Sequence, residues 1–109
     1  MSLDERGRRA IEELVKKWTE KYLYHITFLE KQGTELHFMV EFSLPTPEKP
    51  IPISTVQVYF FVRDVGSGAV DLRYRFEKDS LVHTPGKSIR DTQMEQWIET
   101  FLLKKSLTR

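Results

Sequence analysis

Two stretches of strict side-chain alternation, Val56-Gln57-Val58-Tyr59-Phe60-Phe61-Val62-Arg63 and Val70-Asp71-Leu72-Arg73-Tyr74-Arg75-Phe76, flank the break Asp64-Val65-Gly66-Ser67-Gly68-Ala69. A period of two on both sides of a glycine-rich turn predicts a β-hairpin, because successive strand side chains point to opposite faces. Val56, Val58, Phe60 and Val62 then share one face, where Val70, Leu72, Tyr74 and Phe76 can meet them. The reverse face carries Gln57, Tyr59, Phe61 and Arg63 beside Asp71, Arg73 and Arg75, a mixture of aromatic and guanidinium groups. If Val62 opposes Val70, Tyr59 lies near Arg73, Gln57 near Arg75 and Phe61 near Asp71.

A second hairpin is expected upstream. Leu23-Tyr24-His25-Ile26-Thr27-Phe28-Leu29 and Leu36-His37-Phe38-Met39-Val40-Glu41-Phe42 alternate around Lys31-Gln32-Gly33-Thr34. Leu36, Phe38, Val40 and Phe42 form its apolar row, opposite Tyr24, Ile26 and Phe28, which leaves His25, Thr27, His37, Met39 and Glu41 on the reverse face. Between the hairpins, four prolines in Ser43-Leu44-Pro45-Thr46-Pro47-Glu48-Lys49-Pro50-Ile51-Pro52 remove backbone donors and fix φ, predicting a stiff, extended connector.

Helices flank the strands. From about Leu3 to Tyr22, Ile11, Leu14, Val15, Trp18 and Tyr22 recur at spacings of three and four, and Ser2 with Glu5 fits a capping box. A final helix from Asp91 or Thr92 to Lys105 places Met94, Trp97, Ile98, Phe101 and Leu102 on one stripe, with Asp91 as its N-cap and Lys104 and Lys105 at the negative end of its dipole. The expected fold is α+β, a four-stranded antiparallel meander between an N-terminal and a C-terminal helix, with residues 1–109 as one domain. This order resembles that of RWD-type interaction domains and, more loosely, cystatin-like folds. The Tyr-Pro-x-x-x-Pro turn of RWD-type domains has no counterpart here, so no site residue transfers.

Several chemistries lack the residues they need. Without cysteine there is no disulfide, no thiolate zinc site and no thiol nucleophile, which is compatible with a reducing cytoplasm. A net charge of +1 gives no global field for a polyanion. The N-terminus is charged and no apolar run is long enough to span a membrane, so a cytoplasmic location is expected. Gly86-Lys87-Ser88 has the end of a phosphate-binding loop, but Leu81 stands where that loop needs glycine and Pro85 removes an amide donor. His25, His37 and His83 show no ligand spacing, and no serine sits in a nucleophile elbow. The expectation is a chain with no catalytic residues, no metal and no cofactor.

What remains is the mixed face of the second hairpin. Tyr59, Phe61, Arg73 and Arg75 are the candidate partner-binding residues, with rings for buried area and guanidinium groups for oriented polar contacts. The partner would be a protein or a second copy of the chain. The same residues, helped by Arg63 and Lys87, could stack and neutralise single-stranded nucleic acid. A small apolar ligand among Phe38, Val58, Phe60 and Trp97 is a third option. All depend on where the helices lie. Tyr59 and Phe61 pack beneath a helix with the arginines at its rim in one arrangement. They are exposed if both helices cover the other face.

Overall fold

A computed structural model describes residues 2–43, 55–77, 81–87 and 89–107. Helix α1 (Leu3–Trp18) leads into strands β1 (Leu23–Gln32), β2 (Glu35–Ser43), β3 (Thr55–Asp64) and β4 (Val70–Phe76), followed by a helical turn α2 (Ile89–Thr92) and helix α3 (Met94–Leu107). The strands form one antiparallel sheet in the order β1-β2-β3-β4, the expected meander. Residues 44–54, which hold most of the proline-rich connector, lie outside the described residues, as do the side chains of Phe101, Lys104 and Lys105.

Both helices lie on the same side of the sheet. The buried row is Leu36, Phe38, Val40 and Phe42 of β2, Val56, Val58, Phe60 and Val62 of β3, and Tyr74 and Phe76 of β4. Onto it α1 sets Ile11, Val15 and Trp18, while α3 sets Met94, Ile98 and Leu102, all buried in one cluster. Trp18 meets Phe60 and Tyr74 with ring centroids 5.7 and 4.9 Å apart, and Trp97 meets Phe76 at 4.2 Å. Each large side chain taken from water here contributes about 1.5–3 kcal/mol. The arrangement with Tyr59 and Phe61 beneath a helix is therefore corrected, since these residues point away from both helices.

Local chemistry sets the boundaries, and several of them differ from expectation. Helix α1 ends at Trp18 rather than Tyr22, because Thr19 turns extended (φ −165°, ψ 147°) and its hydroxyl accepts from the Lys21 amide at 2.9 Å. That hydroxyl donates to Glu95 of α3 at 2.6 Å, and Lys21 pairs with Glu99 at 3.2 Å, so the end of α1 is clipped to α3. The Glu99 carboxylate raises the Lys21 ammonium above its ordinary value. Asp91 is no N-cap of α3. It lies within α2, where its carboxylate accepts from the hydroxyl of buried Tyr74 and from the Gly86 amide. The Gly86 amide is thus bound to an internal carboxylate.

The third difference is register. Asp64 still belongs to β3 and pairs with Val70, so Val62 faces Leu72 instead of Val70, and the second hairpin is shifted by two residues from the expected pairing. The Asp64 carboxylate accepts from the Gly66 amide at 2.9 Å, which tightens the loop to five residues, Val65 to Ala69. Both the Gly66 amide and Arg6 of α1 hold that carboxyl below its ordinary value. In the first hairpin the loop contracts to Gly33-Thr34, with Gly33 at φ 62°, a pattern that suits strand twist in a two-residue connection. A bulge at Leu29 then changes which face the end of β1 presents.

Candidate functional site: the open face of the sheet

Alternation that buries one row of side chains leaves the other uncovered by α1 and α3. Register sets this second row out across all four strands. Glu30, His37, Phe61 and Arg73 form one line, and Thr27, Met39, Tyr59 and Arg75 form the next. Tyr59, Phe61, Arg73 and Arg75, the four residues singled out from the sequence, therefore stand together on adjacent strands. Their pairing is Tyr59 with Arg75 and Phe61 with Arg73, the corrected register in place of the expected one.

Specific contacts order the surface. The Arg75 guanidinium lies over the Tyr59 ring, 5.0 Å from its centroid, a geometry in which the π face attracts the cation. The Tyr59 hydroxyl donates to the Gln57 carbonyl at 3.3 Å, and the Gln57 amide donates to Glu41 at 3.1 Å. Phe61 meets the His37 ring edge-on at 4.9 Å, and His37 Nε2 is 2.9 Å from a Glu35 oxygen. Arg73 reaches Glu35 and Asp71, each at 3.8 Å, and Arg63 pairs with Asp71 at 3.2 Å. With side chains 40% and 49% exposed, Arg73 and Arg63 gain little stability from these pairs, which mainly orient the guanidinium groups.

Sequence reasoning placed the reverse-face residues of each hairpin separately. What it missed is that His37 and Met39 abut Phe61 and Tyr59 in one continuous surface, and that Glu30 and Glu35 join it. Shared alternation in a meander could have revealed the first. For Glu30 no signal existed, because the bulge at Leu29 carries it onto this face against the simple alternation of β1.

Other candidates fall apart in space. His83 lies off this face, bridging Tyr74 through two backbone hydrogen bonds of 2.7 and 3.0 Å and stacking its ring near Tyr74 and Phe76. Among the described residues, no group of three or more His, Asp or Glu side chains is arranged to hold a metal ion. Lys87 belongs to the turn closed by the hydrogen bond its amide donates to the Thr84 carbonyl, outside the sheet. Phe38, Val58 and Phe60 are buried within the continuous core. No described helix is long and apolar enough to cross a membrane.

The family model described as the 28 kDa A-kinase anchor, AKAP28, matches residues 3–108. The chain belongs to the AKAP28 family. No curated protein and no solved structure matches it significantly. The AKAP28 match spans both helices and all four strands, so the sheet and its open face belong to the family's domain rather than to an appendage. Anchoring is a protein-interaction role, and the family is described by it.

Proposed function

We propose that this chain is a non-catalytic protein-interaction domain that serves A-kinase anchoring, and that its open sheet face, centred on Tyr59, Phe61, Arg73 and Arg75, is the surface that takes a protein. The observation that carries this reading is two aromatic rings and two guanidinium groups held in order on a face that neither helix covers. Aromatic residues and arginine are the types that contribute most at protein interfaces, and here their conformations are already fixed by neighbours, which lowers the entropy lost on binding.

Electrostatics favours a protein over single-stranded nucleic acid. Glu35 and Asp71 sit against Arg73 and Arg63, so a polyanion would have to displace carboxylates already in place. A protein surface of mixed charge can instead exchange these pairs one for one.

The test uses purified A-kinase holoenzyme immobilised on a sensor, with the native chain and Tyr59→Ala/Arg73→Ala passed over it. The native chain should be retained, and the double variant should bind at least about tenfold more weakly with an unchanged unfolding transition. A double variant that unfolds would assign Tyr59 and Arg73 to the fold instead, and native-like retention would move the contact off this face.

A further inference from the structure

Seen row by row, the open face has a polarity that neither hairpin has alone. From the hairpin tips inward the rows run Gln32-Glu35-Arg63-Asp71, then Glu30-His37-Phe61-Arg73, then Thr27-Met39-Tyr59-Arg75, then His25-Glu41-Gln57. Carboxylates Glu30, Glu35 and Glu41 lie on the β1–β2 half, the guanidinium groups Arg63, Arg73 and Arg75 outnumber the carboxylate Asp71 on the β3–β4 half, and His37, Met39, Tyr59 and Phe61 fill the seam between.

We propose that this face pairs with the same face of a second copy, about a two-fold axis parallel to the strands and running between β2 and β3. The proposal rests on the reading of the face as a protein-binding surface and names a second copy as its occupant, which A-kinase must displace to reach Tyr59 and Arg73. Such an axis keeps every residue at its own row while laying β1 over β4 and β2 over β3 of the other copy. Glu35 then meets Arg63 of the second copy, Glu30 meets Arg73, Met39 meets Tyr59, His37 meets Phe61 and Glu41 meets Gln57. Every one of these encounters is of opposite charge, of sulfur or imidazole with an aromatic ring, or of hydrogen-bond donor with acceptor, and two-fold symmetry makes each of them twice.

Charge also selects the axis. A two-fold axis running across the strands would reverse the rows and lay each strand over itself, bringing Glu35 against Glu41 and Arg73 against Arg75, with like charges opposed. The parallel axis gives two sheets packed with nearly aligned strands, the common geometry of sandwiches. At strand spacings of about 4.8 Å and rises of about 3.3 Å per residue, the face projects to roughly 19 by 25 Å. That is roughly 475 Å² per partner, close to the lower bound of about 1,000 Å² in total for a specific interface.

Light scattering coupled to size exclusion tests the pairing. The native chain should run at twice its 12.9 kDa mass. Arg63→Glu/Arg73→Glu leaves one copy with acidic groups on both halves, and Glu30→Arg/Glu35→Arg leaves another with basic groups on both. Each should run as a folded monomer, and their equimolar mixture should restore a dimer containing one of each. A native monomer, reversed chains that self-associate like the native one, or a mixture that stays monomeric would each overturn the proposal. If a reversed chain fails to fold by circular dichroism, Met39→Arg replaces it. That substitution touches none of the ion pairs, must give a folded monomer, and a persistent dimer would overturn the pairing. Retention on A-kinase is read separately. A monomer that is retained removes the second copy but leaves anchoring, whereas a dimer that is not retained removes anchoring and leaves the pairing.

Discussion

Phe60 and Phe61 are neighbours in one strand, yet they live in different solvents. Phe60 is fully buried between Trp18 and Tyr74, whereas Phe61 stands half-buried on the open face with its ring against the edge of His37. The same contrast separates Tyr74, whose hydroxyl reaches inward to Asp91, from Tyr59, whose hydroxyl meets Gln57 at the surface. One face of the sheet is therefore packed into the core, and the other holds similar residue types outside it. An aromatic residue's role here is decided by whether its sequence number is even or odd, within a strand, rather than by its chemistry.

Matched substitutions on the two faces should separate them. Phe60→Ala should cost about 3–5 kcal/mol in denaturant unfolding, because the lost transfer energy is joined by a cavity beneath Trp18. Phe61→Ala should cost about 1 kcal/mol or less, the scale of a cross-strand pair. Equal losses would mean that the open face is part of the core. The hydroxyl deletions follow the same logic at smaller size. Tyr74→Phe removes a donor from the Asp91 carboxylate and should cost about 1–3 kcal/mol. Tyr59→Phe should be close to neutral in stability, because water replaces its weaker partner.

Gly7 sharpens the account of the covered face. A Cβ added there would lie 2.9 Å from one Val62 methyl group and 3.2 Å from the other, and a β-branched side chain in a packed strand has no free rotamer to yield with. Alanine would gain about 1 kcal/mol of helix propensity, but overpacking costs about 1–3 kcal/mol. Gly7→Ala should therefore lower stability by about 1 kcal/mol, and Val62→Ala in the same chain should recover part of the helical gain, as read by a double-mutant cycle.

Much of this was legible in the residues, for physical reasons that also mark the limits. Strand and helix identity follow from side-chain period, so the order of elements and the placing of Tyr59, Phe61, Arg73 and Arg75 on one face could be read directly. Register could not, because it depended on whether Asp64 ended its strand or began its loop, and the carboxylate's bond to the Gly66 amide settled that. The bulge at Leu29 left no mark in the alternation, which hid Glu30 from the site. The stripe on each helix says which side of the helix is apolar but not which side of the sheet receives it. Trp18 on Phe60 and Trp97 on Phe76 put both helices on one side, and with that the open face came into being.

Asp64 offers the smallest effect and a test of the hairpin that supports both faces. Its carboxyl is held below the ordinary value of 3.8 first by the Gly66 amide and then by Arg6, so the ionised form is favoured in the folded chain. A carboxyl with a lowered folded value binds its proton more readily when unfolded, so its contribution to stability is complete above pH 3.8 and is lost as the pH falls below that, through the folded value. Asp64→Asn should flatten that part of the stability profile while changing neutral-pH stability little, because the group is exposed and its pair is screened. Thermal unfolding of the two chains across the acid range reads the difference. If the native and substituted profiles run parallel below pH 3.8, the Asp64 contacts with Gly66 and Arg6 do not persist in solution, and the loop that fixes the two-residue shift must be held by strand pairing alone.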